Sequence, residues 1–175
     1  MRLQRQTTFG GPAAPVPERG NCWSTCIACI LGLDTSEVPN FCGAEDADDS
    51  GNWFTAAQRW LAPRGLALAE FNTNPGTWGE QYAPIVSIAS GPGPRGHSHS
   101  VLWQHGKLLH DPHPSGDGLI EATSWCILIV VDLDLARLAT ERRLGRCPRC
   151  DRPLAGWQRD ADDCSCAGMP GAGAG

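Results

Sequence analysis

Three residues of this chain have the types needed to open an acyl bond: Cys22, His99 and Asp111. A thiolate attacks carbonyl carbon, an imidazole takes and returns its proton, and a carboxylate holds that imidazole in one tautomer. Cys22 falls where a Gly/Pro-rich stretch, residues 10–20, gives way to an apolar run. Its sulfur is therefore expected at the first turn of a helix, beside backbone N–H groups without intrahelical partners and the positive end of the helix dipole. Both effects favour thiolate and predict a lowered pKa. Cys26 and Cys29 lie one and two turns further in, where thiols pack as inert core. Taken singly, each of the three is more often ordinary: a buried cysteine, a strand histidine, an aspartate closing a strand. Their joint placement points to chemistry.

The base and its partner depend on a hairpin. If Gln104-His105-Gly106 is a three-residue loop with Gly106 left-handed, Trp103 opposes Lys107, Val101 opposes Leu109, and His99 opposes Asp111. Directly opposed side chains share a face, with Cβ atoms ~4.5–5.5 Å apart. A two-residue loop, His105-Gly106, shifts the pairing by one and is expected to put the two on opposite faces. The three-residue form is preferred because it gives His99 a partner. His97, two residues earlier on the same face, is the rival base.

A second group lies near the end of the chain. Cys147-Pro148-Arg149-Cys150 and Cys164-Ser165-Cys166 are separated by thirteen residues. Four thiolates at this spacing complete a closed tetrahedral zinc site, so a structural zinc is expected on Cys147, Cys150, Cys164 and Cys166. A closed site has no open position for water, so this metal would stabilise a ribbon able to recruit a protein partner. A competing reading gathers His97, His99, His110, Asp111 and His113 around a catalytic metal.

The elements that must position these residues read as α+β. Helices are expected over residues 24–33, from near Asn52 to Leu61, and over 133–144, with a short helical turn at Ser36-Glu37-Val38-Pro39. Strands are expected over 66–71, 84–89, 100–103, 107–111 and 125–132. Helices first and a mostly antiparallel sheet later is the α+β order. The expected divisions are a catalytic domain over 1–144, a zinc-ribbon-like module over 145–167, and a low-complexity tail over 168–175.

Composition narrows the classes. Hydrophobic residues make up 41% of the 175, enough for a core, and the net charge of −5 argues against nonspecific nucleic-acid binding. The one dense basic group, Arg142, Arg143, Arg146 and Arg149, is short. No apolar run approaches the ~20 residues that span a bilayer, and no signal-peptide core stands near Met1. Nine cysteines in such a chain read as thiols or metal ligands before disulfides, so a cytoplasmic setting is expected.

Gly20-Asn21-Cys22-Trp23 is similar to the G-x-C-W at the nucleophile of papain-like cysteine peptidases, and His99-Ser100-Val101 to their H-small-V. Cys22 with Cys26, then His99, then Asp111-Pro112 resembles the bacteriocin-leader (double-glycine) peptidase branch, and the layout resembles small phage-encoded papain-fold proteins. The resemblance spans about residues 6–115. It implies a papain-like fold, a nucleophile helix packed on an antiparallel sheet. It also implies hydrolysis of a peptide or protein substrate through a covalent acyl-enzyme, in the host cytoplasm for a phage-encoded chain. The family's oxyanion-hole glutamine stands six residues before the nucleophile, where this chain has Val16; Gln6 or Gln4 fills the role if residues 10–20 loop out. Trp23 replaces the leader-peptidase glycine. Acyl transfer or glutamine deamidation on the same fold, and a non-catalytic zinc-ribbon adaptor, are the alternatives.

Overall fold

The computed structural model describes residues 1–42 and 53–143. The four cysteines of the expected zinc site and the tail over 168–175 lie outside the described residues. The chain divides into two compact units. One comprises Met1–Trp60 and Ala67–Ile129, and the other joins Leu61–Leu66 to the chain from Val130 onward. The class is α+β.

The first unit is built on a five-stranded antiparallel sheet in the order β1-β5-β2-β3-β4. The strands are β1 (Leu66–Phe71), β2 (Ser87–Pro92), β3 (Ser98–Gln104), β4 (Lys107–His110) and β5 (Ser124–Val130). Strand β2 starts three residues later than its sequence suggests. Successive turns donate Tyr82 N–H to Gly79, Ala83 N–H to Glu80 and Ile85 N–H to Tyr82, which holds residues 83–85 out of the ladder. It also runs on to Pro92, pairing Gly91 with His99 and Pro92 with Ser98, so that His99 sits within a strand.

Alternation along β2 and β3 puts Ile88 and Leu102 on one face and Ala89 and Val101 on the other, and all four are fully buried. Trp125 joins Ala89 and Val101, with Trp103, Leu119 and Ala122 packed around them. Helix α1 (Cys22–Leu31) packs against β3 and β2. It starts two residues earlier than the apolar run predicts, which places Cys22 in its first turn, and it ends at Gly32, left-handed at φ 68°. Helix α2 (Trp53–Leu61) sends Gln58 to the open edge of β1. The Gln58 amide donates to Leu68 O at 2.9 Å and accepts from Leu68 N–H at 2.9 Å, standing in for a missing strand. In the second unit, Asp132 caps helix α3 (Leu133–Arg143) through Leu135 N–H at 2.9 Å.

The hairpin between β3 and β4 departs from expectation in an instructive way. Its loop is the two-residue kind: His105 and Gly106 carry φ of 51° and 74°, as a type I′ turn requires, and Gln104 pairs with Lys107. The preferred three-residue turn is therefore incorrect. The register then slips once more, from Trp103↔Leu108 to Leu102↔His110, leaving Leu109 as a bulge. One residue of turn shift and one of bulge restore the original parity. The expected separation of His99 from Asp111 by a two-residue loop does not occur.

Candidate active site

Residues 1–8 form no regular element, yet they lace helix α1 to the segment after β4. Arg2 N–H reaches Cys29 O at 3.1 Å, His110 Nε2 donates to Gln4 O at 2.7 Å, and Gln6 N–H reaches Pro112 O at 3.0 Å. Arg5 Nη1 donates to the carbonyls of Asp111 and His113 at 3.0 and 2.8 Å. Asn21, just before α1, does not cap the helix with its side chain. Its Oδ1 accepts instead from Thr7 and Thr8 N–H, and its Nδ2 donates to Thr7 Oγ1 at 2.9 Å. Asn21, beside Cys22, thus holds the segment that carries Gln6.

This arrangement separates the two candidate glutamines. Gln4 is committed elsewhere: its Nε2 donates to Leu33 O and its Oε1 accepts from Thr35 N–H. Gln6 is 6% exposed and lines the cleft with Cys22. Its Nε2 donates to Thr8 O at 2.9 Å, and its Oε1 has no partner.

The cleft has a volume of ≈260 Å³. Its wall carries Cys22 and Trp23 from α1, Trp53 from α2, Ser90 from β2, and Ser98, His99 and Ser100 from β3. Gly10, Gly11 and Pro12 close one side, in a loop that includes a short 3-10 turn at Val16–Glu18. That loop is pinned by Gly10 N–H to Glu18 O at 2.8 Å and Gly20 N–H to Gly10 O at 2.7 Å.

His99 and Asp111 form a buried pair, at 3% and 5% exposure. His99 Nε2 lies 2.7 Å from Asp111 Oδ1, which assigns the ring proton to Nε2 and leaves Nδ1 as the basic nitrogen. Asp111 Oδ1 also accepts from His113 N–H at 2.8 Å, and Oδ2 from Gly118 N–H at 2.8 Å. Burial alone would push this carboxyl up, but the bonds from His99, Gly118 and His113 outweigh it and hold the carboxyl below its ordinary range. Burial lowers the His99 pKa, with Asp111 opposing, so the imidazole rests neutral near pH 7.

The thiol does not behave as its helix position predicts. Burial raises Cys22 above its ordinary 9.0, and the hydrogen bonds from Ser100 N–H and O–H and from Trp23 N–H only partly offset it. The direction is opposite to the one expected: desolvation of the thiolate outweighs the neighbours that favour it. Cys22 remains half-buried and open to the cleft, whereas Cys26 and Cys29 are fully buried. Cys26 Sγ points to Ser100 O at 3.7 Å.

The five residues of the metal reading do not converge. His99 is held by Asp111, His110 turns to Gln4 O, and His113 Nδ1 sits 2.8 Å from Ser115 Oγ. Among the described residues no group of three His, Cys, Asp or Glu could hold a metal ion. His97 lines the cleft but makes no bond to Asp111, so the carboxylate belongs to His99.

Several contributors had no signal in the sequence. Gly118 and His113 supply backbone N–H groups to Asp111, which no residue type announces. Ser100 was legible only as the residue after His99; its hydroxyl lies 2.9 Å from Ser90 Oγ across the β2–β3 ladder. No helix among the described residues is long and apolar enough to cross a membrane. Comparison with protein-family models, with curated proteins and with solved structures finds no match for this chain.

Proposed function

We propose that the protein is a cysteine-nucleophile hydrolase, a peptidase or amidase, with Cys22 as nucleophile, His99 as base, Asp111 orienting that base, and Gln6 as an oxyanion donor. The observation that carries this reading is the buried His99–Asp111 pair at 2.7 Å, opening on the same cleft as a thiol at a helix's first turn. A structural pair needs no access to a cleft, and a core thiol needs no opening onto the cleft that holds an imidazole.

The chemistry follows from the proton positions. Nε2–H is donated to Asp111, so Nδ1 takes the Cys22 proton as Sγ attacks the substrate carbonyl carbon. The imidazolium so formed is stabilised by the Asp111 carboxylate. The tetrahedral oxyanion can be met by the Cys22 backbone N–H, without an intrahelical partner in the first turn, and by the second N–H of Gln6 Nε2. Imidazolium Nδ1–H then protonates the leaving amine, giving the thioester acyl-enzyme. Water, deprotonated by the same imidazole, attacks that thioester and releases acid and thiol. Amine in place of water makes the reaction a transfer, and a side-chain amide substrate makes it a deamidation.

The papain-like arrangement and the zinc module at Cys147, Cys150, Cys164 and Cys166 belong to this proposal. Support for the former is the packing of α1 against β3 in an antiparallel sheet. The test is labelling by a peptidyl vinyl sulfone followed by peptide mapping. A single adduct on Cys22, lost in Cys22→Ala and slowed by on the order of 10²-fold or more in His99→Ala, is expected. Labelling that is as fast in a folded His99→Ala protein would overturn the dyad.

A further inference from the structure

The described lining of the cleft carries two arginines, Arg19 and Arg95, and three histidines, His97, His99 and His113, but no aspartate or glutamate. This is unlike the chain as a whole, in which 19 acidic residues outnumber 14 basic ones. Arg95 is held in place by Ser115 Oγ at 3.0 Å and by Asp117 Oδ2 at a looser 3.6 Å. Arg19 is anchored through Nε alone, to Ala14 O at 3.2 Å, and among the described residues no carboxylate pairs with its guanidinium. A planar guanidinium fixed at Nε still presents its Nη edge, the edge that suits a carboxylate. The same walls carry Trp23 and Trp53, with ring centroids 4.5 Å apart, and apolar walls strengthen the field of a cation in a cleft.

We propose that this cleft selects acyl substrates that carry a carboxylate, with Arg19 as the principal specificity residue and Arg95 as the second cation. The proposal rests on the reading of Cys22 as a reactive thiol in that cleft. It names the substrate class as acidic peptides, with the negative group seated beside the carbonyl under attack.

Two alkylating reagents of nearly equal size but different charge test this without turnover. Iodoacetate and iodoacetamide react identically: the thiolate sulfur forms a bond to the methylene carbon, the carbon–iodine bond breaks, and iodide leaves. Rates at Cys22 are measured for each reagent by mapped mass spectrometry, beside glutathione in the same buffer. The expected iodoacetate-to-iodoacetamide ratio at Cys22 exceeds that of glutathione by about tenfold at low salt and shrinks as salt screens the arginines. It should fall to the glutathione ratio in Arg19→Gln/Arg95→Gln and be partly restored in Arg19→Lys/Arg95→Gln. A purely structural role for Arg19 would change both rates together and leave the ratio in place. A Cys22 ratio equal to that of glutathione overturns the charge selection and leaves the nucleophile intact. Failure of both reagents to modify Cys22 in the folded protein sinks the nucleophile reading, and this proposal with it.

Discussion

The two walls of the cleft are built to different standards. On the His99 side, every polar atom of the His99–Asp111 pair that faces protein is accounted for: both carboxylate oxygens accept backbone N–H groups, and Oδ1 also accepts from the ring N–H. On the Cys22 side, Gln6 Oε1 and Trp23 Nε1 are buried without partners, and the Cys22 thiol is held neutral by burial. On the proposed reading, the base is pre-organised in the resting protein, whereas the thiol is activated only when its proton moves. Position in a helix does not set acidity by itself. A first-turn cysteine in open water and one in a cleft differ in solvation, and burial sets the direction here.

The sharpest way to break this contrast is to remove the nucleophile. Cys22→Ala should cut turnover by on the order of 10⁴-fold or more while the melting temperature stays near the parent's, because the half-buried thiol contributes little packing. Retained hydrolysis in Cys22→Ala would dissolve the comparison altogether. Next comes the base. His99→Ala should lose nearly as much activity and, unlike Cys22→Ala, should also destabilise by about 1–3 kcal/mol, since the buried Asp111 carboxylate loses its ring N–H donor. Denaturant melts of the two variants side by side measure the asymmetry.

A smaller effect is expected from Asp111→Asn. The amide oxygen can keep the His99 and His113 donors at one position, but the amide nitrogen then faces Gly118 N–H, donor against donor. Activity should exceed that of Asp111→Ala, and stability should fall by about 1–3 kcal/mol relative to the parent. A fully stable Asn variant would mean that the Gly118 bond contributes nothing.

The mildest test is pH. With Cys22 raised above 9.0, its thiolate grows only as pH climbs past that value, so the iodoacetamide rate should keep rising through pH 9 with no plateau below neutrality. A plateau starting in acid would reveal a standing thiolate–imidazolium pair and erase the contrast between the walls. Stability follows the same signs. His99, lowered from 6.5, costs stability as pH falls below 6.5, because the unfolded chain takes up the proton first. Cys22, raised, costs stability as pH rises above 9.0, because the unfolded chain releases its proton first. Thermal melts should therefore be flattest between those two values.

What the sequence determined by itself was local. An apolar run after a Gly/Pro stretch places Cys22 at the start of a helix, and β-rich segments around His105-Gly106 make a hairpin carrying His99 and Asp111. These follow from propensity and periodicity within a few residues. The tertiary structure decided what depends on distant partners. A bulge at Leu109 returned Asp111 to His99, although the turn was a different one from the turn that the register argument required. Asn21 tied down residues 7 and 8 and so placed Gln6, not Gln4, at the cleft. Burial reversed the direction expected for the Cys22 thiol. Register, long-range hydrogen bonds and solvation are sums over neighbours that the chain brings together only on folding, and no single residue's type encodes them.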